Sequence, residues 1–169
     1  VPGSPGHLTR RFFDVLLARP LGLHEREEVE AWLSSGEAAA FFAQPVADQR
    51  HGHSAAATVR AKSTGDVALL RAALLHDIGK RHAGLGVVGR VVASILILAR
   101  APLRGRLALY RDHGSVGAAE LERLGAEPLV VDFTRHHHGE RPASIEPTTW
   151  DLLWQADHRP KPGTPHRPE

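Results

Sequence analysis

The chain has 169 residues, 42% of them hydrophobic and 24% charged, which is enough for one compact domain with a substantial core and too little for two. It contains no cysteine, so a disulfide framework and thiolate-held zinc are excluded, and any metal must rest on imidazole and carboxylate. An isoelectric point near 9.5 suggests nucleic acid, but setting aside Arg159, Lys161 and Arg167 against Glu169 leaves 18 basic and 18 acidic residues. The basicity belongs mostly to the tail, which argues against a DNA or RNA duplex as partner of the body.

In chain order, residues 1–7 carry two Pro and two Gly and are expected to be disordered. A first amphipathic helix is predicted from Leu8, with Phe12, Phe13, Leu16 and Leu17 at helical spacing, ending at Pro20. Residues 24–34 form a second, with Val29, Trp32 and Leu33 on one face, and residues 37–43 a short third stopped by Pro45. Phe41 and Phe42 are candidate core residues. A long alanine-rich helix is predicted over 48–62 with Asp48 as its cap; His51, Ala55 and Val59 share a face, with His53 about 200° further round. Asp66 caps the next helix, an apolar run that delivers His76 and Asp77.

A glycine-rich link, residues 84–89, leads to an apolar helix over 91–100. The longest apolar run, residues 91–99, is about half of what a membrane span requires. An arginine-dense connection follows, with Arg100, Arg104, Arg106 and Arg111. His113 precedes a helix ending at Gly125, and a helix over 129–135 runs into His136, His137 and His138. The last helix spans 148–157, and residues 159–169 form a proline-rich tail expected to be disordered. No strand-like alternation is present, so the fold class is all-α. Residues 1–47 read as an N-terminal helical extension and 48–158 as the main domain. No secretory signal pattern or membrane span is evident, and the protein is expected to be cytoplasmic.

Twelve histidines are present, eight of them between positions 51 and 138. The pair His76-Asp77 closes an apolar helix, where neither side chain is at home without a partner. Taken alone, it reads most simply as a helix C-terminus, with Gly79 as a left-handed cap and Lys80 near the negative end of the dipole. The other histidines, at helix ends or on apolar faces, shift the reading to a metal centre. Imidazole with carboxylate suits Zn, Fe, Mn, Ni or Co rather than Mg or Ca.

The order His51, His76-Asp77, Asp157, with the His-Asp-x-Gly-Lys context, the His-Gly-x-Val-Gly-Ala stretch at 113–118, the histidine cluster at 136 and Gln-Ala-Asp at 155–157, resembles the HD superfamily of metal-dependent phosphohydrolases. The resemblance covers residues 48–157. It implies a helical bundle around the metal, here with extra N-terminal helices, and a ligand set of His51, His76, Asp77 and Asp157, with Asp77 able to bridge two ions. His113 and His136 match the two further histidines of the binuclear subgroups, among which the diadenosine-tetraphosphate hydrolases are the nearest in motif. His53 and His137 stand as alternates, while His138, His82, His158 and His24 are expected at the surface.

What the resemblance implies is a hydrolase of a nucleotide or other small phosphate ester that uses two divalent transition-metal ions and a metal-activated water, with Asp77 and Lys80 in the catalytic machinery. Lys80, Arg104, Arg106 and Arg111 are the candidates for binding substrate phosphate. A non-catalytic nucleotide-binding or regulatory module and a di-iron oxygenase are the alternatives on the same fold. The Gly-Tyr-Pro sequence of the cyclic-di-GMP subgroup is missing after His138, which disfavours that substrate. The oligomeric state is left open.

Overall fold

The computed structural model describes residues 18–63 and 65–158. The disorder expected at residues 1–7, most of the helix expected from Leu8, and the tail from Arg159 onward lie outside the described residues. Among the described residues there are nine α-helices, one 3-10 helix and no strand, an all-α fold. They are α1 (Leu23–Trp32), α2 (Ser35–Phe42), α3 (Val46–Lys62), α4 (Val67–Leu75), the 3-10 helix Ile78–Ala83, α5 (Val87–Leu98), α6 (Arg106–Arg111), α7 (His113–Arg123), α8 (Pro128–His136) and α9 (Pro147–His158).

Local signals explain most of these boundaries. Ser34 caps α2 in a reciprocal box with Glu37, and the Asp66 carboxylate accepts from the Ala68 and Leu69 amides to start α4. Pro128 occupies the first turn of α8, where its missing N–H is harmless. Two expectations are corrected. Asp48 does not cap α3, which begins at Val46; its carboxylate is taken instead by a bidentate pair with Arg90 of α5, at 2.7 Å on both oxygens. The arginine-dense connection is not all loop, because residues 106–111 wind into α6.

Helix α4 is the centre of the bundle. Leu69, Leu70, Ala72, Ala73, Leu74 and Leu75 are all buried, as a helix surrounded on every side requires. It packs against α3, α8 and α9, while α1 and α2 close another side through Leu21, Val29, Leu33 and Phe41. The Arg71 guanidinium of α4 reaches fully buried Glu37 of α2 at 2.7 Å and Glu127 at 2.5 Å, which ties the N-terminal helices to the same core. Phe41 is fully buried, whereas Phe42 is only partly so.

The 3-10 helix lies directly on α7, and two glycines make that possible. A Cβ on Gly79 would sit 2.0 Å from the His113 carbonyl oxygen, and one on Gly117 would sit 2.9 Å from the Gly79 nitrogen. Gly79 is therefore needed for close backbone approach and not as a left-handed cap; that conformation falls at Gly84, with φ of 55°. Among the described residues no single helix is long and apolar enough to cross a membrane.

Candidate metal centre

The end of α4 faces the start of α7, the end of α8, the middle of α3 and the last turn of α9, and each contributes a side chain to one cluster. His76, Asp77, His113 and His137 are buried to within 5% of full burial. Two groups within it could hold a metal ion: His51, His76 and Asp77, and Asp77, His113, His137 and His138. Asp77 belongs to both, and its two oxygens face different ways. Its Oδ1 lies 3.2 Å from His113 Nε2 and 3.4 Å from His137 Nε2. Its Oδ2 lies 3.5 Å from His76 Nε2 and 3.7 Å from His51 Nε2, and also accepts from Lys80. Asp157 Oδ1 lies beside the first group, 2.9 Å from His51 and 3.2 Å from His76.

Three of the rings are oriented by the same local device. His76 Nδ1 lies 2.9 Å from the Ala73 carbonyl, His113 Nδ1 2.6 Å from that of Tyr110, and His137 Nδ1 2.8 Å from that of Thr134, each three residues upstream. A carbonyl can only accept, so Nδ1 carries the proton, and in the neutral ring Nε2 presents a lone pair. Those three Nε2 atoms, together with Asp77 Oδ1, are buried and make no hydrogen bond. Three of these atoms, His113 Nε2, His137 Nε2 and Asp77 Oδ1, converge as acceptors without a donor, which is what a metal cation would satisfy, and the carbonyl bonds on the far nitrogens are the outer support that metal-bound histidines ordinarily have. The residues present fit a divalent transition metal.

Electrostatics in the metal-free cluster follow from burial and proximity. Burial pushes His76 down, but the Asp77 and Asp157 carboxylates outweigh it and hold the imidazole up to about 9. Burial also works against the Asp77 carboxylate, yet the Lys80 ammonium and the nearby imidazoles hold it well below the usual range. Asp157 is lowered in the same way by His76 and His51. Burial lowers His137 despite the pull of Asp77. Uncompensated charge in the cluster is thus relieved either by a proton on His76 or by a cation.

Of the residues singled out in the sequence, His51, His76, Asp77, His113, Asp157 and Lys80 converge here. His136 does not; His137 takes that position. Val130, Phe133, Thr134 and His137 form one inward stripe of α8 and its cap, so the four-residue step from Phe133 places His137 inside and leaves His136 partly exposed. His138 is exposed, as expected, yet it also joins the second group, its ring 5.0 Å from that of His113. His53 turns away to Glu28 and Glu25 of α1, at 3.3 and 3.7 Å. Arg106 donates to the Ala83 carbonyl, Arg111 is paired with Asp112, and Arg104 is exposed, so no contact brings any of the three to Asp77. The cation the sequence does not reveal is Arg90, its side chain largely buried on Asp48 with its guanidinium 5.9 Å from the Tyr110 ring centre. His51, with its side chain about a third exposed, and exposed His138 mark the sides on which the cluster meets solvent.

No family model matches the chain, and neither the curated proteins nor the solved structures include a match. A helical fold around a His/Asp cluster able to bind metal is compatible with an HD-type fold.

Proposed function

We propose that the protein is a metal-dependent phosphohydrolase of the HD type, acting on a nucleotide or another small phosphate ester. The observation that carries this reading is the convergence of three carbonyl-anchored histidines on a carboxylate whose two oxygens serve two ligand groups. That arrangement suits two ions, which when bound would supply Lewis acidity and activate water for in-line attack at phosphorus.

The chain's own residues have separable tasks. Asp77 holds the two ligand groups together, Oδ2 toward His76 and His51 and Oδ1 toward His113 and His137. Lys80 neutralises the Oδ2 side and keeps the carboxylate ionised. The carbonyls of Ala73, Tyr110 and Thr134 fix which ring nitrogen faces the site. Substrate phosphate approaches from the side of His51 and His138, where the cluster reaches solvent, while the apolar packing of α4 and α8 keeps water from the opposite side.

The test is elemental analysis of protein purified without chelators, followed by a panel of nucleotides, phosphomonoesters and phosphodiesters assayed with the metal found. Release of phosphate or nucleotide that disappears in Asp77→Asn supports the reading. Bound metal with no release across the panel overturns it, and oxygen uptake without release replaces it with an oxygenase.

A further inference from the structure

Helix α5 is apolar on nearly every side, yet Ala93 is its only buried residue. It packs mainly on α6 and is held to the bundle by the Arg90–Asp48 pair. Val88, Val92 and Ile95, at spacings of four and three, form one stripe, with Ala93 and Arg90 on the other side of the helix. Val88 is 71% exposed, Ile95 48% and Leu98 59%, and Leu109 of the adjoining α6 is 40% exposed. Several large aliphatic side chains left bare on one short element form a patch that a water-facing surface does not explain.

The segment that carries this patch has charge of a single sign. Between Ile78 and Arg111 the sequence has no Asp or Glu and seven basic residues. Lys80, Arg81, Arg90 and Arg111 are bound to carboxylates elsewhere in the fold. Arg100, Arg104 and Arg106 are exposed and form no ion pair among the described residues, although Arg106 Nε donates to the Ala83 carbonyl. Arg100 ends α5 in the left-handed conformation, φ 53°, with its amide on the Ile97 carbonyl and that of Ala101 on Leu96. Glycine is the usual residue at that position, so the chain keeps a cation beside the apolar stripe where its backbone favours none.

We propose that α5 and the arginine segment after it form a docking surface for an anionic phospholipid bilayer, with the aliphatic stripe inserted at the level of the headgroups and Arg100, Arg104 and Arg106 on lipid phosphates. At 12 residues the helix is about 18 Å long, against roughly 30 Å of hydrocarbon, so it lies in the interface and does not cross it. Charge selects this occupant over the other two. Two copies meeting through this same face would set arginines against arginines, since residues 78–111 hold no carboxylate, and residues 1–17 carry Arg10 and Arg11 against only Asp14. An anionic membrane supplies both the apolar layer and the negative charge.

The inference is independent of the hydrolase reading, because binding is measured with no substrate and no added metal. The full chain is sedimented with vesicles of phosphatidylcholine alone and of phosphatidylcholine with about one-third phosphatidylglycerol at low salt. Binding to the anionic vesicles only, weakened by salt, is expected. Arg100→Gln with Arg104→Gln should weaken it more than about tenfold, from a factor of about five per arginine, and Ile95→Asp should abolish it. All three side chains are exposed, so these variants keep the helical circular dichroism of the parent. No binding to anionic vesicles, or binding indifferent to both variants, overturns the proposal. So does a dimer in sedimentation analysis that Ile95→Asp dissociates while lipid binding is absent.

Discussion

His113 Nε2 lies 3.2 Å from Asp77 Oδ1, although the proton of that imidazole is already directed at the Tyr110 carbonyl 2.6 Å away. Two lone-pair atoms at that separation repel unless a cation stands against both. His137 repeats the relationship, 3.4 Å from the same oxygen with its Nδ1 on Thr134. The same demand therefore comes from two helices, α7 and α8.

The first prediction separates the adjacent histidines at the end of α8. His137→Gln should lower bound metal by at least about half, since it removes a buried Nε2 ligand, whereas His136→Gln should leave metal content within error of the parent. Elemental analysis of the two variants, purified in parallel, reads the difference. Equal loss in both would show that the inward stripe of α8 does not select the ligand.

A second prediction concerns pH. In the metal-free protein the His76 imidazole is held up to about 9 by Asp77 and Asp157, above its unfolded value of about 6.5. Its protonation therefore contributes stability that is fully present below about pH 6.5 and is lost as pH rises toward 9. Metal-free protein should thus melt at a lower temperature at pH 9 than at pH 6.5. Metal binding takes the deprotonated ring, so loading at pH 7 should release protons, and the melting-temperature gain from metal should grow with pH. Calorimetry in buffers of different ionisation enthalpy counts the protons. A metal-free melting temperature that rises over this interval would contradict the assignment.

Helices of this protein can be read from apolar spacing because the core is built from helix faces, and Asp66 and Pro128 mark starts by local chemistry alone. The His76-Asp77 pair is legible for the same reason, as polar residues ending an apolar run. Other features depend on partners distant in sequence. Asp48 looks like a cap until Arg90, 42 residues on, takes both its oxygens. His136 and His137 differ by one helical step, and the choice is made by the packing of Phe133 and Thr134, both fully buried. Gly79 reads as a left-handed helix cap, yet its role is set by the backbone of His113.

That role gives a third prediction. Gly79→Ala would place a methyl group 2.0 Å from the His113 carbonyl oxygen, forcing α7 away from the 3-10 helix and His113 away from Asp77. Overpacking of this kind costs about 1–3 kcal/mol, and backbone is less forgiving than side chain. Urea unfolding should show a loss at the upper end of that range, together with weaker metal binding. Gly86→Ala is the control, because Gly86 has an extended backbone with open space around its Cβ; it should change stability by less than about 0.5 kcal/mol.

The fourth prediction tests the strut that holds α5. Arg90 and Asp48 are largely buried and bonded through both oxygens; burial pushes the Arg90 pKa down, but the Asp48 carboxylate holds it above its ordinary value. Removing one member of such a pair leaves a buried charge uncompensated, at a cost of about 3–5 kcal/mol, whereas replacing both by apolar groups can be nearly neutral. Arg90→Met alone should therefore destabilise strongly, and Asp48→Leu with Arg90→Met should recover most of the loss. Because α5 has little other packing than α6, hydrogen exchange over residues 87–98 should accelerate in Arg90→Met well beyond the change in α4. In the double variant, stability should return while α5 keeps a faster exchange than the parent, since apolar contact replaces the fixed geometry of the bidentate pair. Exchange that rises equally in α4 and α5 would mean that the pair supports the whole bundle rather than this helix.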